Sequence, residues 1–279
     1  MATLLDGKKL SEKICATLKS KIEKLKGKKP GLAVILVGDN PASQIYVSKK
    51  EKTAKAFGFY SEVHRLAATS EEKEILNLIK YLNDSPKIHG ILIQLPLPAH
   101  IQTQAILNAV SPLKDVDGFH PLNLGRLFIG NPLFIPCTPQ GIMELLKEYK
   151  IELSGKHAVI LGRSLIVGKP LAHLLLSQNA TVTICHSKTK NLEEICQRAD
   201  ILVSAMGKPH FIKNSFVKEG AIVVDVGINR LNKKIVGDID FDAVYKKTSF
   251  ITPVPGGVGP MTIALLLQNT FKSFERSTS

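Results

Sequence analysis

The chain has 279 residues, 44% of them hydrophobic and 22% charged, with a formal net charge of +13. That length accommodates one large or two medium domains with a well-filled core, and the composition is that of an ordinary globular protein rather than a disordered or fibrous one. No run of eighteen apolar residues occurs, the start MATLLDGKKL lacks a secretory apolar stretch, and Cys15, Cys137, Cys185 and Cys196 form no C-x-x-C pair. The expectation is therefore a cytoplasmic protein with neither a disulfide framework nor a metal site.

The first thirty residues carry nine lysines against three acids, which invites a nucleic-acid partner. The lysines nevertheless fall on a helical pattern over 8–26 whose apolar stripe is Leu10, Ile14, Leu18, Ile22 and Leu25, as expected of a solvated helix face over a core. Neither interleaved aromatics nor a basic tail accompanies them, so no nucleic-acid and no membrane partner is expected. The positive field still favours anionic small molecules.

Helical and strand periods then alternate. Helices are predicted over 41–57, 70–83 and 99–109, and strands over 32–38 (LAVILVG), 59–66 and 90–95 (GILIQL). A segment rich in Pro, Gly and Asp, 111–139, reads as a loop, followed by a helix at 139–149. Strands follow at 157–161, 180–185, 200–204 and 221–226, and a last apolar helix covers 261–274. The pattern predicts an α/β chain of two domains around a cleft, the second Rossmann-like, with a mainly parallel sheet. The expected division is 1–138, completed by 253–279, and 139–252.

Within the second domain, HAVILGRSLIVGKP (157–170) reads as a buried strand, a glycine turn and a helix start, the arrangement that receives a diphosphate. Ser164 stands where a second glycine is usual, and one extra residue separates it from Gly168. The next strand, about twenty residues on, ends in Cys185, His186 and Ser187 without the carboxylate that would select NAD, and Arg163 is available to a 2′-phosphate. These residues favour NADP; the plainer alternative is an αβ unit carrying a basic surface cluster.

On the helix over 41–57, Asn40 is a good N-cap and Pro41 suits the first helical position. Ser43, Tyr46 and Lys50 follow at spacings of three and four and share a face. Lys49 and Lys52, as like charges, together with burial, are expected to lower the proton affinity of Lys50; alternatively Lys50 is a solvated lysine beside a half-buried ring. Gln94 ends a strand at its carboxyl end, where αβ folds bind ligands; alternatively it is a strand-terminal Gln that bonds its own turn. Asp115 and Asp117 lie in a tight turn that lacks the other ligands of a calcium loop, so no metal is expected. PVPGGVGP (253–260) provides rigid backbone that a flat ligand can approach.

Taken in order, VGDNPASQIYVSKKEK, GILIQLPLP, DVDGFHPLNLGRL, FIPCTPQG, VILGRSLIVGKP, TVTICHSKT, VVDVGIN, GDIDF and TPVPGGVGPMT make the whole chain resemble the bifunctional methylenetetrahydrofolate dehydrogenase/cyclohydrolase family. The resemblance implies oxidation of 5,10-methylenetetrahydrofolate with NADP and hydrolysis of the methenyl product to 10-formyltetrahydrofolate, in a homodimer joined through the nucleotide domain. It implies Lys50 as the catalytic lysine, Gln94 and Asp117 as its companions and Tyr46 as the ring stacked on the pterin. Folate contacts would fall on Ser43, Tyr46, Val47, Ser48, Lys49 and Lys50, on Ile93, Gln94, Leu95 and Asp117, and on Pro255, Gly256, Gly257, Val258 and Gly259. NADP contacts would fall on Gly162, Arg163, Ser164, Ser187 and Ile228. A monofunctional dehydrogenase of the same family, or another NADP-dependent two-domain dehydrogenase, is the alternative. His186 is a weaker cofactor candidate, and Cys137 reads as a packing residue, with a reactive thiol as the alternative.

Overall fold

The structure, a computed structural model, describes residues 2–25, 27–232 and 234–278. In chain order its strands are β1 (Thr3–Leu4), β2 (Gly31–Val37), β3 (Tyr60–Leu66), β4 (Gly90–Ile93), β5 (His157–Leu161), β6 (Thr181–Cys185), β7 (Ile201–Ser204), β8 (Ala221–Asp225), β9 (Asn229–Leu231), β10 (Lys234–Val236) and β11 (Thr248–Ile251). Its α-helices are α1 (Gly7–Glu23), α2 (Pro41–Ala56), α3 (Glu72–Asp84), α4 (Thr103–Ala109), α5 (Pro121–Phe128), α6 (Cys137–Glu148), α7 (Gly168–Leu176), α8 (Leu192–Gln197), α9 (Phe241–Tyr245) and α10 (Val258–Thr278). The chain divides into two compact units, one of the segment through Glu12 with Thr138–Thr262, the other of Lys13–Cys137 with the chain from Ile263 on. They are called below the Gly162 unit and the Lys50 unit.

The Lys50 unit is built on a parallel sheet in the order β3-β2-β4. Every residue of β2 is buried, because helices cover both faces and its alternating side chains feed two cores. Leu32, Val34 and Leu36 pack with Leu18 and Ile22 of α1, Val47 and Ala54 of α2 and Leu266 of α10. Ala33, Ile35 and Val37 pack with Ile75, Ile79 and Leu82 of α3 and Ile106 of α4. The lysines of α1 at 8, 9, 13, 19 and 21 lie on its exposed face opposite the buried Leu10, Leu18 and Ile22, as the sequence pattern requires.

The Gly162 unit carries a six-stranded sheet, order β1-β11-β8-β7-β5-β6, in which every pairing is parallel. From β5 the chain moves outward to β6 and then crosses back to the other side of β5 for β7. The crevice at the carboxyl ends of β5 and β7 is therefore the topological switch point, where open α/β sheets bind ligands. The β9–β10 hairpin is the antiparallel exception among the described residues.

Several elements depart from the sequence-based expectation. The stretch 111–139, expected to be a loop, contains α5 and the start of α6; Pro121 occupies the first turn and His120 Nδ1 accepts from the Leu122 N–H at 3.0 Å, so the helix has both a start signal and a cap. The units also divide differently from the expected domains at both ends. β1 pairs with β11, the Lys8 N–H donates to Gly256 O at 2.8 Å, and a Cβ on Gly7 would lie 1.9 Å from Gly257 O. Residues 2–12 and 253–262 are thus tied together in the Gly162 unit rather than completing the Lys50 unit. Among the described residues no helix is long and apolar enough to cross a membrane.

Candidate active site

In the Lys50 unit the local sequence fixes α2 first. Asn40 Oδ1 accepts from the Ala42 and Ser43 N–H groups at 3.0 and 3.1 Å, and Pro41 occupies the first turn. The buried face of the helix is Ser43, Val47, Lys50 and Ala54, a helical repeat that carries one lysine among small and apolar residues. Lys50 is only 7% exposed. Its Nζ donates to Gln94 Oε1 at 3.0 Å, and Gln94 is held in turn by its own Nε2 donating to Leu95 O at 2.8 Å. The Gln94 N–H donates to Ile35 O at 2.9 Å, so this amide is presented from the last hydrogen-bonded step beyond β4.

The DVDG turn separates its two acids by role. Asp115 accepts from the Phe119 and His120 N–H groups and from Asn123 Nδ2 at 2.8–3.1 Å, so it organises the turn and the entry to α5. Asp117 faces Lys50 and the Cys137 thiol, and burial pushes its carboxyl above the usual range, while Lys50 pulls the other way. Gly118, with φ +76°, allows the chain to leave this turn against the backbone of Ile135 and Pro136.

Lys50 is held below the ordinary lysine range by burial, with Asp117 and then Cys137 acting in the opposite sense. Of the two expected causes, burial is the one that lowers it; like charge from Lys49 and Lys52 is not, because both are exposed and solvent screens them. Cys137 is likewise pushed well above its ordinary value by burial and by Asp117. Its Sγ contacts Val116 O at 3.4 Å and receives Asn269 Nδ2 at 3.6 Å. A residue read first as packing, with a reactive thiol as the alternative, therefore borders the lysine and the carboxylate.

The other expected folate residues are distributed unevenly. Ser43 is buried and Tyr46 half-buried on the same side of α2, whereas Val47 is wholly enclosed in the core and Lys49 is exposed. Ser48 and Leu95 are half-buried, and Ile93 is buried in β4. Pro255, Gly256, Gly257, Val258 and Gly259 lie in the Gly162 unit. There the Gly257 N–H donates to Pro253 O at 2.8 Å, and a Cβ on Gly259 would sit 3.7 Å from Ile228 Cδ1.

The glycine turn of that unit has its own geometry. Gly162 leaves β5 at φ +128°, and a Cβ there would lie 2.6 Å from Ala205 O. A Cβ on Gly168 would lie 2.0 Å from Gly162 O, so the turn closes on itself only with glycine at both places. Ser164, the departure from the usual glycine pattern, supplies Oγ to the Val167 and Gly168 N–H groups at 3.1 and 3.4 Å and caps the entry to α7. Arg163, Ser164 and Ser187 are exposed around the turn, and Ile228 is 44% exposed after β8. Cations, hydroxyls and an apolar face are thus offered at the carboxyl ends of the strands, which fits a dinucleotide. His186 is engaged locally, its Nδ1 accepting from the Lys188 N–H at 3.2 Å.

Sequence reasoning did not single out Asp225 and Asp238. Both are buried at the carboxyl ends of the sheet, 4% and 0% exposed, and burial with the neighbouring Asp238 raises Asp225 to about 6 against three backbone donors that favour its charge. The only sequence signal was their place in VVDVGIN and GDIDF, where each stands beside or near a glycine. Among the described residues no group of His, Cys, Asp and Glu is arranged to hold a metal.

Known proteins share this arrangement over its whole length. The profile of the tetrahydrofolate dehydrogenase/cyclohydrolase catalytic domain matches residues 5–117, and that of the NAD(P)-binding domain of the same family matches residues 136–278. The bifunctional protein FolD of Streptococcus agalactiae is 56% identical over 283 residues, covering 100% of both chains. Among solved structures, the bifunctional FolD methylenetetrahydrofolate dehydrogenase/cyclohydrolase of Campylobacter jejuni superposes with a TM-score of 0.96 at 55% identity, over 99% of each chain. The Trypanosoma brucei enzyme, solved with NADP and an inhibitor, gives a TM-score of 0.96 at 39% identity, over 99% of this chain and 98% of that one. This chain belongs to the tetrahydrofolate dehydrogenase/cyclohydrolase family.

Proposed function

We propose that the chain oxidises 5,10-methylenetetrahydrofolate to 5,10-methenyltetrahydrofolate with NADP and hydrolyses the product to 10-formyltetrahydrofolate. The observation that carries the second activity is the Lys50 amine, buried, hydrogen-bonded to Gln94 at 3.0 Å and held below its ordinary proton affinity. A lysine held below its ordinary proton affinity is neutral over a wider range of pH than a solvated one, and only the neutral amine can accept a proton.

In the oxidation NADP accepts a hydride when bound. The residues proposed to hold it are Arg163, Ser164 and Ser187 around the Gly162 turn and the exposed Ile228, and those proposed to hold folate are Ser43, Tyr46 and Asp117. The two nitrogens of the substrate delocalise the charge left behind, so the protein's task in this step is orientation. In the hydrolysis, water adds to the methenyl carbon, its proton passes to the Lys50 amine, and the bond from that carbon to N5 breaks as N5 takes a proton. Gln94 fixes the amine's position, and Asp117 stabilises its charged form once it has received the proton. The reading includes a homodimer through the Gly162 unit, supported by the edge position of β6 and its 37% exposed Ile184, and a cytoplasmic location without nucleic-acid or membrane partners.

Mixing protein with methylenetetrahydrofolate and NADP while following the absorbance of NADPH and of methenyltetrahydrofolate tests both steps together. NADPH accumulation with little methenyl compound is expected. Accumulating methenyl compound identifies a monofunctional dehydrogenase, and no NADPH refutes the reading.

A further inference from the structure

We infer that Asp238, with Asp225 beneath it, is a positioning residue for the dinucleotide: it fixes the loop after β7 against the Gly162 turn and thereby sets affinity for NADP without touching folate chemistry. The inference rests on the dinucleotide reading of the Gly162 turn and deepens it.

Asp238 returns from the β9–β10 hairpin beneath the carboxyl ends of β7 and β8. Its Oδ2 accepts from the Met206 N–H at 2.7 Å, the Gly207 N–H at 3.2 Å and Ser204 Oγ at 3.1 Å. Its Oδ1 accepts from the Lys208 N–H at 2.8 Å and Asn229 Nδ2 at 2.9 Å. Three successive backbone N–H groups of one loop thus converge on one buried carboxylate, which makes that loop's conformation a property of Asp238. The same loop packs on the candidate cofactor turn: the Ala205 N–H donates to Leu161 O at 2.9 Å, and Ala205 O leaves no room for a side chain at Gly162. β5 and β7 border the switch point, so the loop Asp238 holds forms one wall of the crevice where the dinucleotide is proposed to bind.

Asp225 ends β8 and holds Asp238 in place. Its Oδ1 accepts from the Gly227 and Asp238 N–H groups at 2.9 and 3.0 Å, and its Oδ2 from the Ile239 N–H at 2.9 Å. Through Gly227 it also fixes Ile228, the exposed apolar residue of the same wall. The glycines are obligatory partners: a Cβ on Gly227 would lie 2.2 Å from Asp238 Oδ1, and one on Gly237 would lie 1.8 Å from Asp225 Oδ2. With every carboxylate oxygen already accepting from the protein, the pair is built to hold backbone rather than to bind a cation.

The test uses the full-length enzyme and two variants, Asp238→Asn and the milder Asn229→Ala, with NADPH binding followed by its fluorescence and both activities measured. Native enzyme must bind NADPH; if it does not, the dinucleotide reading itself fails. Asp238→Asn is expected to weaken NADPH binding and raise the KM for NADP at least about tenfold, with kcat at saturating NADP and the KM for methylenetetrahydrofolate within about twofold of native. Hydrolysis of methenyltetrahydrofolate supplied directly, which needs no dinucleotide, is expected to stay within about twofold. Asn229→Ala should show the same split at about threefold. Native-like NADPH affinity in a folded Asp238→Asn, or equal losses in hydrolysis and cofactor affinity, overturns the inference. Should Asp238→Asn not fold, unchanged NADPH affinity in Asn229→Ala overturns it and the split in that variant sustains it.

Discussion

The two units each bury carboxylates, and they treat them in opposite ways. In the Gly162 unit, Asp225 and Asp238 accept from backbone N–H groups at 2.7–3.2 Å on both oxygens, and glycines make room for them. In the Lys50 unit, the half-buried Asp117 lies opposite a buried ammonium and a buried thiol, so its field bears on groups that can themselves exchange protons. A buried charge saturated by backbone donors holds the fold's shape, because moving it would orphan several N–H groups at once. A buried charge balanced by another titratable group holds a protonation state instead. The contrast predicts that changes in the first cluster alter stability or cofactor affinity, and changes in the second alter rate and its dependence on pH.

The largest effect is expected at the amine. Lys50→Met fills the same volume without the base, and hydrolysis of methenyltetrahydrofolate should fall by at least about two orders of magnitude, the usual worth of a positioned proton acceptor. Part of the hydride transfer should survive, since that step needs no base. Undiminished hydrolysis removes Lys50 from the mechanism. In the other cluster, Gly237→Ala brings a Cβ onto Asp225 Oδ2, and overpacking there should cost about 1–3 kcal/mol in urea unfolding. A native midpoint for that variant would mean that the cluster is loose and the contrast overstated.

How far each cluster was legible in the sequence follows from the same difference. Lys50, Gln94 and Asp117 each stand at a place local rules recognise: a capped helix, the end of an apolar strand and an Asp-Gly turn. Their convergence depends on β2 and β4 pairing in parallel, which the continuous apolar runs already implied. Burial, the main cause of the lysine's shift, is legible in its helix face, but the like-charge part of the expectation fails because Lys49 and Lys52 are neighbours in sequence that are exposed to solvent, while Asp117 and Cys137 are distant in sequence and act on the amine. Asp225 and Asp238 escaped notice because their partners are mostly backbone N–H groups of loops, which leave no side-chain pattern. β1 and β11 were missed because strands of two and four residues carry almost no periodic signal, and their pairing joins opposite ends of the chain. The helix α5 was obscured by glycines and prolines around it, although His120-Pro121 is itself a start signal.

A smaller effect is expected at the rim of the glycine turn. Arg163 is exposed, so Arg163→Ala should leave folding and hydrolysis intact and raise the KM for NADP about tenfold, the scale of one charge-assisted hydrogen bond. The preference for NADP over NAD should shrink with it, and an unchanged preference excludes a 2′-phosphate role.

The finest test concerns the charge opposite the amine. Only neutral Lys50 can take a proton from water, so the kcat of hydrolysis should rise with pH through the amine's titration, and burial sets that inflection below the 10.5 of an ordinary lysine. Asp117 favours the charged amine and so works against burial. Asp117→Asn removes the opposing charge while leaving the burial, and the inflection should move further toward acid pH, with the amine neutral over a wider range. The KM for folate is expected to rise separately, because Asp117 is also proposed to anchor the substrate, and for that reason the profile is read in kcat. An inflection that stays in place, or moves toward alkaline pH, would mean that Asp117 is not the charge that tunes Lys50, and the two buried clusters would then differ in their hydrogen bonds but not in their chemistry.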